Sequence, residues 1–398
     1  MSNNHVVVIG AGLGGLALAQ GLVRAGIDVT VFERDDALTA RAQGYRLHLD
    51  GRTRDTLQEL LSPTLMRVFD ATAAVVTPRF TVLNAQLDEL TVRPSAPGVV
   101  DFAVDRLVLR QILLAGIEDR VHFGKEMREF RLGPDGRPTA CFADGSRITG
   151  DVLVGADGVN SVVRQRYLPH ARVVDTGVRG LHAIVPLTNE TRNLFDDYMF
   201  GVYTVIAGGA GTHLGIGPMR FPEPPHTVAG ALLPGLRLLP VSDYAVCAFG
   251  ARRERLGLPD DRLRALDGPA MHSIVTDAVR DWHPRLRDIV AHIDPASIFP
   301  LIMRSSVPIP AWPTTRVTLL GDAIHAMSPA SGVGACTALR DAARLCSALR
   351  RAATGRDLIT ELREYEAEMI DYGFAAVRVG AENGHRFLAQ DPLPIAAL

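Results

Sequence analysis

Three short runs in this 398-residue chain hold residue types whose spacing could do chemistry. In "VVVIGAGLGGLALAQGL", Gly10, Gly12 and Gly15 fit G-x-G-x-x-G, with Leu13 among the candidate cofactor-binding residues. Gly10 permits a tight turn, Gly12 lets the backbone approach a pyrophosphate, and Gly15 lets helix and strand pack closely. The helix start then offers free N–H groups and a partial positive charge to the phosphates. Glu33, followed by Arg34, closes "DVTVFER", where an acid takes both ribose hydroxyls of an adenosine. That acid suits FAD and NAD equally, since both carry the ribose. In "DVLVGADGVNSVVR", Asp157 and Gly158 follow a buried strand, at the end where open α/β sheets bind ligands. Alone, this is also an ordinary Asp-Gly turn. The third run, "RVTLLGDAIHAMSPASGVGACTALRDAARL", repeats strand, turn and helix. Gly321, Asp322 and Ala323 form its turn, and Gly332 and Gly334 precede a helix expected to reach about Arg350.

Elements must position these residues. Val6–Ile9 is a β-branched run suited to a strand buried on both faces. Helical spacing follows from Leu16 to Ala25, Gly26 caps it, and a second strand completes a βαβ unit. Turn signals at Pro134-Asp135-Gly136 and Asp144-Gly145 predict hairpins. Residues 176–305 alternate like strands and are interrupted by proline clusters, with helices expected near 261–293. Leu358 to about Phe387 reads as a C-terminal helix pair.

Composition narrows the classes. Hydrophobic residues make up 47% and charged residues 22%, a folded globular balance. A net charge of -2 gives no reason to expect nucleic acid or an anionic membrane. Cys141, Cys247, Cys336 and Cys346 form no C-x-x-C pair, and the 12 histidines are scattered, so no metal is expected. Reduced thiols and the lack of a leader-like segment before the first strand suggest a cytoplasmic protein.

Taken together, the three motifs resemble the class A FAD-dependent monooxygenases, which share the p-hydroxybenzoate hydroxylase fold. "QGYRLHLDG", "VDRLVLRQIL" and "YEAEMIDYG" look like this family too. The resemblance implies an α/β fold. A Rossmann-like FAD-binding domain of the GR2 type would occupy 1–75, 100–175 and 306–350. A mostly antiparallel substrate domain would occupy 76–99 and 176–305, and a helical segment 351–398. By the same resemblance Asp322 contacts the ribityl and phosphate region, and Pro329 lies beside the isoalloxazine. The backbone of Gly332, Val333, Gly334 and Ala335 would face the flavin pyrimidine ring, where a helix N-terminus stabilises the reduced flavin's negative charge. Arg41 and Arg106 match family positions that touch FAD. The chain departs from the family at Ser328-Pro329 (usually Pro-Pro), Cys336 (usually Asn) and Met369 (usually Arg).

The resemblance also implies an activity. NADPH or NADH would visit transiently and reduce the flavin. O₂ would add to give a C4a-hydroperoxide, and one oxygen would pass to an apolar, aromatic or polycyclic small molecule, as in secondary metabolism. No catalytic residue is assigned. His325 is expected to support the FAD loop rather than act as an acid–base, and Tyr45, Asp105 and Tyr203 are candidates to line the site. A reductase or cyclase on the same scaffold, or a redox-silent FAD-containing ligand-binding protein, are the alternatives. Lys125, the only lysine, sits in "FGKEMREF", which argues against a lysine-dependent halogenase. The protein could be a monomer or a dimer.

Overall fold

The computed structural model describes residues 5–40, 45–94, 98, 100–209 and 211–394. Its first sheet is parallel and five-stranded, in the order Val317–Leu319, Val152–Gly155, His5–Ile9, Asp28–Phe32, Val121–His122. Val6, Val8, Val29, Val31, Val152, Val154, Val317 and Leu319 lose all solvent contact, because helices cover this sheet. The order of strands explains why distant motifs converge. The strands preceding Gly10, Asp157 and Gly321 are immediate neighbours and run in one direction. Their three turns therefore emerge side by side at the C-terminal edge.

Two helices leave those turns and pack against each other. The first spans Leu13–Arg24 and the second Gly334–Ala353. Small residues let them approach. A Cβ on Gly14 would sit 2.6 Å from Leu320 Cδ1 and 3.3 Å from the Ala338 carbonyl. One on Gly21 would sit 2.8 Å from Cys346 Sγ. Both helices extend past the expected bounds, starting at Leu13 rather than Leu16 and ending at Ala353 rather than about Arg350.

A second sheet has nine strands. It runs Phe299–Ser306, Val173–Pro186, Tyr244–Arg252, Thr212–Met219, Gly201–Gly209, Ala74–Asn84, Asp101–Asp105, Arg46–Asp50, with Glu89–Pro94 beside Ala74–Asn84. Pairing is antiparallel except between Gly201–Gly209 and Ala74–Asn84. Side chains alternate between faces. Leu181, Ala183, Val185, Leu214, Ile216, Cys247 and Phe249 point to one face and pack with the helices Asp260–Ala265, Gly268–Ala278 and Pro284–Ala291. Their neighbours in sequence, among them His182, His213, Gly215, Gly217, Val246 and Ala248, form the opposite face. The predicted hairpins make a separate three-stranded sheet of Met127–Leu132, Pro138–Phe142 and Arg147–Thr149, with φ of +75° at Gly136 and +83° at Gly145 in its turns.

The expected C-terminal helix pair is one 31-residue helix, Leu358–Leu388. Its glycines Gly373, Gly380 and Gly384 serve packing. A Cβ at Gly373 would lie 2.6 Å from His325 Cδ2, and one at Gly380 3.3 Å from Ser331 Cβ. Beyond Gly384, Gln390 folds back over the same face.

Candidate functional site

The first glycine turn is shaped by three different constraints. Gly10 has φ +110°, and a Cβ there would overlap the Ala156 carbonyl. At Gly15 a Cβ would overlap the Gly10 carbonyl. Gly12 differs from both: its φ is an ordinary -74°, and a Cβ would meet nothing within 4 Å among the described residues. Neither backbone nor protein packing requires glycine there, so its bare surface faces open space. Glu33 is buried beneath this turn. The Ala11 N–H donates to its Oε2 (2.9 Å) and the Asp35 N–H to its Oε1 (3.1 Å). Each oxygen keeps a further lone pair for a hydroxyl. Leu13 is buried, and Arg34 is exposed beside Asp35.

Both long helices begin without a side-chain cap and without an acid in the first turn. The second is preceded by Ser328, which is buried, then by the short turn Pro329–Ser331 and by Gly332 at φ +67°. Val333 is its N-cap residue, so the N–H groups of Gly334, Ala335 and Cys336 precede the first intrahelical bond, made by Thr337. Two helices packed on each other therefore both begin with uncapped, positive ends.

Asp322 begins the short helix Asp322–His325. Its side chain is exposed, yet the dense protein around it raises its carboxyl pKa, and the charges of His325 and then Arg106 offset part of that rise. Behind it lies a buried polar cluster. Asp341 Oδ2 accepts from the Gly321 N–H (2.7 Å) and lies 2.6 Å from His325 Nε2, while Asp341 Oδ1 accepts from the Tyr372 hydroxyl (2.7 Å). Burial opposes charge on His325, but Asp341, with help from Asp322, raises its pKa above the ordinary histidine value. His325 thus supports the turn from behind.

Asp157 meets backbone rather than open space. Its Oδ2 accepts from the N–H groups of Val162 (2.7 Å) and Val163 (3.2 Å), at the start of the helix Val162–Tyr167. Burial raises its pKa, and its Oδ1 has no partner among the described residues. Gly158 takes φ +75° with open space around it. Arg164 links this motif to the third, donating to the carbonyls of Ala323 (2.8 Å) and Val159 (3.0 Å).

Facing the helix ends is the free side of the nine-stranded sheet. Arg106 stacks over Tyr45 at 5.6 Å, Tyr45 lies 5.0 Å from the His182 ring, and His182 stacks on Phe299 at 5.0 Å. This chain of rings joins the Asp322 neighbourhood to the sheet. Tyr203 lies over Gly215 and Gly217, and His213 over Gly250. Burial lowers the pKa of both His182 and His213 to about 4, so both are neutral at physiological pH, and among the described residues each has an unpartnered Nδ1. Asp105 does not line the site. It caps the helix Arg106–Leu114 through the N–H groups of Leu107 and Val108 and accepts from the Tyr244 hydroxyl at 2.7 Å.

The structure therefore sets the turns that hold Gly10, Gly12, Gly15 and Asp322 at one edge of the parallel sheet, with Glu33 under the first turn and Arg106 near Asp322. Gly332, Val333, Gly334 and Ala335 lead into the helix packed against the first, while Arg41 lies outside the described residues. Sequence reasoning missed Arg110, Arg164, Asp341 and Tyr372. Arg110 is almost fully buried and donates twice to the Ala11 carbonyl (2.9 and 3.2 Å) and once to Leu38 (3.2 Å). Its signal was available: an arginine among the apolar residues of "RLVLRQILL" must reach a buried acceptor.

These features fit an anionic dinucleotide bearing a flavin: open space at Gly12, a buried acid at Glu33, two uncapped helix ends and the Asp322 turn beside Arg106. Comparisons agree. The chain is 30% identical to a protein of Photorhabdus luminescens assigned as an FAD containing monooxygenase, with a TM-score of 0.83 over 97% of this chain and 99% of that one. The fold also matches a Klebsiella pneumoniae protein solved with FAD and uric acid, at 22% identity and TM-score 0.76, covering 97% and 89% of the two chains. Across 391 residues it is 33% identical to the dual O-methyltransferase/FAD-dependent monooxygenase of Cercospora beticola, spanning 92% of this chain but only 44% of that relative. The chain thus spans less than half the length of that curated relative. A family profile described as an FAD binding domain matches residues 3–228 and 269–379, and the chain belongs to that FAD-binding family.

Proposed function

We propose that this chain is an NAD(P)H-dependent FAD monooxygenase that inserts one oxygen atom from O₂ into an apolar, aromatic or polycyclic small molecule. The observation that supports this best is the cleft itself. Two uncapped helix ends and the Asp322 turn form one wall, and the ring series Tyr45, His182 and Phe299 forms the other. FAD supplies the redox chemistry, and the protein supplies position, charge and dryness.

Its residues act in separable ways. Gly12 and the N–H groups of the first helix hold the pyrophosphate, while Glu33 holds the adenosine ribose. Asp322 reaches the ribityl and phosphate region. The N–H groups of Gly334 and Ala335 stabilise negative charge on the reduced pyrimidine ring. Pro329 borders the flavin ring, and Arg41 and Arg106 add positive charge. Asp157 and Gly158 fix the loop beside Gly10. Neutral His182 and His213 let the sheet face exclude water without carrying charge. Domain roles follow: 1–75, 100–175 and 306–350 hold FAD, 76–99 and 176–305 hold substrate, and 351–398 brace the back. Among the described residues no helix is long and apolar enough to cross a membrane.

The test is anaerobic mixing of FAD-loaded protein with NADPH and then NADH, following the flavin's visible absorbance, with and without a panel of aromatic ligands. Bleaching followed by ligand-dependent O₂ consumption and a product heavier by one oxygen is the expected result. Persistent absence of bleaching across the panel would favour a redox-silent role.

A further inference from the structure

We propose that Arg46 and Tyr203 form a donor pair on the sheet face that anchors an acidic oxygen, a carboxylate or an enolate, of a planar aromatic substrate. The inference rests on reading this cleft as the substrate site and adds the chemical class of its ligand.

Arg46 opens the strand Arg46–Asp50 at the cleft end of the nine-stranded sheet. Two residues on, the His48 carbonyl contacts Cys336 Sγ at 3.7 Å, at the start of the second uncapped helix. Arg46 is 7% exposed, so its guanidinium is largely dehydrated. Its one hydrogen bond among the described residues is a long one, from Nη2 to the Gly201 carbonyl (3.3 Å), and its Nε has no partner. Both nearby carboxylates are committed elsewhere. Asp101 is held by His48 at 2.6 Å, and Asp105 by Tyr244 and two helix N–H groups. Burial lowers the Arg46 pKa to about 10, still charged at neutral pH. A buried cation without an ion pair is costly unless something pairs with it.

Tyr203 stands beside it. Its ring rests on Gly215 and Gly217, and a Cβ on Gly217 would come 2.9 Å from Tyr203 Cε2 and 3.2 Å from Arg46 Cδ. The glycines clear the sheet so that both side chains can lie flat on it. The Tyr203 hydroxyl has no hydrogen-bond partner among the described residues, and the residue keeps partial exposure. Two unspent donors, one cationic, share a face otherwise made of rings and small apolar residues. A planar apolar body with one acidic oxygen matches that set. A forked guanidinium also suits two oxygens at once.

The test is calorimetric titration of oxidised, FAD-loaded protein with two matched pairs. One pair is 2-naphthoate and methyl 2-naphthoate. The other is 2-hydroxy-1,4-naphthoquinone, anionic at neutral pH, and its 2-methoxy ether. At least one anion should bind the wild type on the order of tenfold more tightly than its methyl derivative, and which one does so identifies carboxylate or enolate. That ratio should collapse to near unity in Arg46→Gln and survive in part in Arg46→Lys. Should Arg46→Gln fail to hold FAD, Tyr203→Phe carries the test. It removes one oxygen, keeps the ring on its glycines, and should lower the anion preference by about fivefold. Equal binding within both pairs, no binding of any probe, or a preference unchanged in these variants overturns the assignment. An Arg46-dependent preference without flavin reduction would instead sink the oxygenase reading alone.

Discussion

The two walls of the cleft are built from different materials. The wall from Gly10–Gly15 and Gly321–Ala335 is backbone: helix ends, turns and N–H groups, with few side chains reaching the open space. The opposite wall is side chain: Arg46, His182, Tyr203, His213 and Phe299 come from five strands of one sheet. Backbone geometry is hard to alter without breaking the fold, whereas side chains on a finished sheet can be exchanged singly. A fixed cofactor on one side and a variable substrate on the other would be served by that division.

Glycines in the first turn give the largest effects and the sharpest contrast. Gly15→Ala forces a Cβ into the Gly10 carbonyl, and neither is free to move. It should cost more than about 3 kcal/mol and leave little folded protein, as read by thermal melting. Gly12→Glu meets no protein atom, so the fold and Tm of the apoprotein should persist. FAD should nonetheless be lost, because bulk and negative charge would occupy the pyrophosphate space. Retention of FAD at wild-type stoichiometry would sink the assignment of that turn.

Next in size is Arg110→Met. The exchange keeps much of the volume but strips three donors from the carbonyls of Ala11 and Leu38. A loss of roughly 3 kcal/mol is expected, with weaker FAD retention, because the first turn depends on that support. If Tm fell while FAD affinity stayed unchanged, the turn would be held by its glycines alone. Asp341→Asn is a milder probe of the other turn. The amide can accept from Tyr372 but cannot match a carboxylate toward both Gly321 N–H and His325. About 2 kcal/mol should be lost, and the flavin absorbance should shift as Asp322 is displaced.

The same contrast explains what could be read without coordinates. Gly10, Gly12, Gly15, Gly321 and Gly334 lie in contiguous motifs, and local backbone demands produce recognisable residues at fixed spacing. The sheet wall has no such grammar. Tyr203 and Arg46 meet because Gly201–Gly209 and Arg46–Asp50 lie in one sheet, separated by two other strands. That order depends on long-range pairing. The C-terminal pair proved to be one helix, and the glycines within it admit neighbours such as His325 and Ser331 rather than break it. Asp157 was recognised by its motif, yet its Oδ2 is spent on a helix start five residues later.

The smallest effects set the two regions against each other in sign. His182, on the substrate wall, is held neutral by burial, with a pKa of about 4 against an ordinary value near 6.5. Between those values the unfolded chain binds the extra proton, so stability is full above about pH 6.5 and falls as pH drops toward 4. Glu366, beneath the parallel sheet and hydrogen-bonded to Thr314 and Thr318 (2.6 and 2.9 Å), behaves oppositely. Burial raises its pKa to about 7, so the folded chain holds the extra proton and stability is lost as pH rises from the ordinary glutamate range through 7. The two partly cancel in the wild type. His182→Phe should therefore lose less stability than wild type on going from pH 7 to 5.5, by about 1 kcal/mol, and Glu366→Gln should lose more by a similar amount. Chemical denaturation at the two pH values separates them. Parallel pH profiles for all three proteins would mean that neither group changes its proton affinity on folding, and that the dryness argued for the substrate wall is not there.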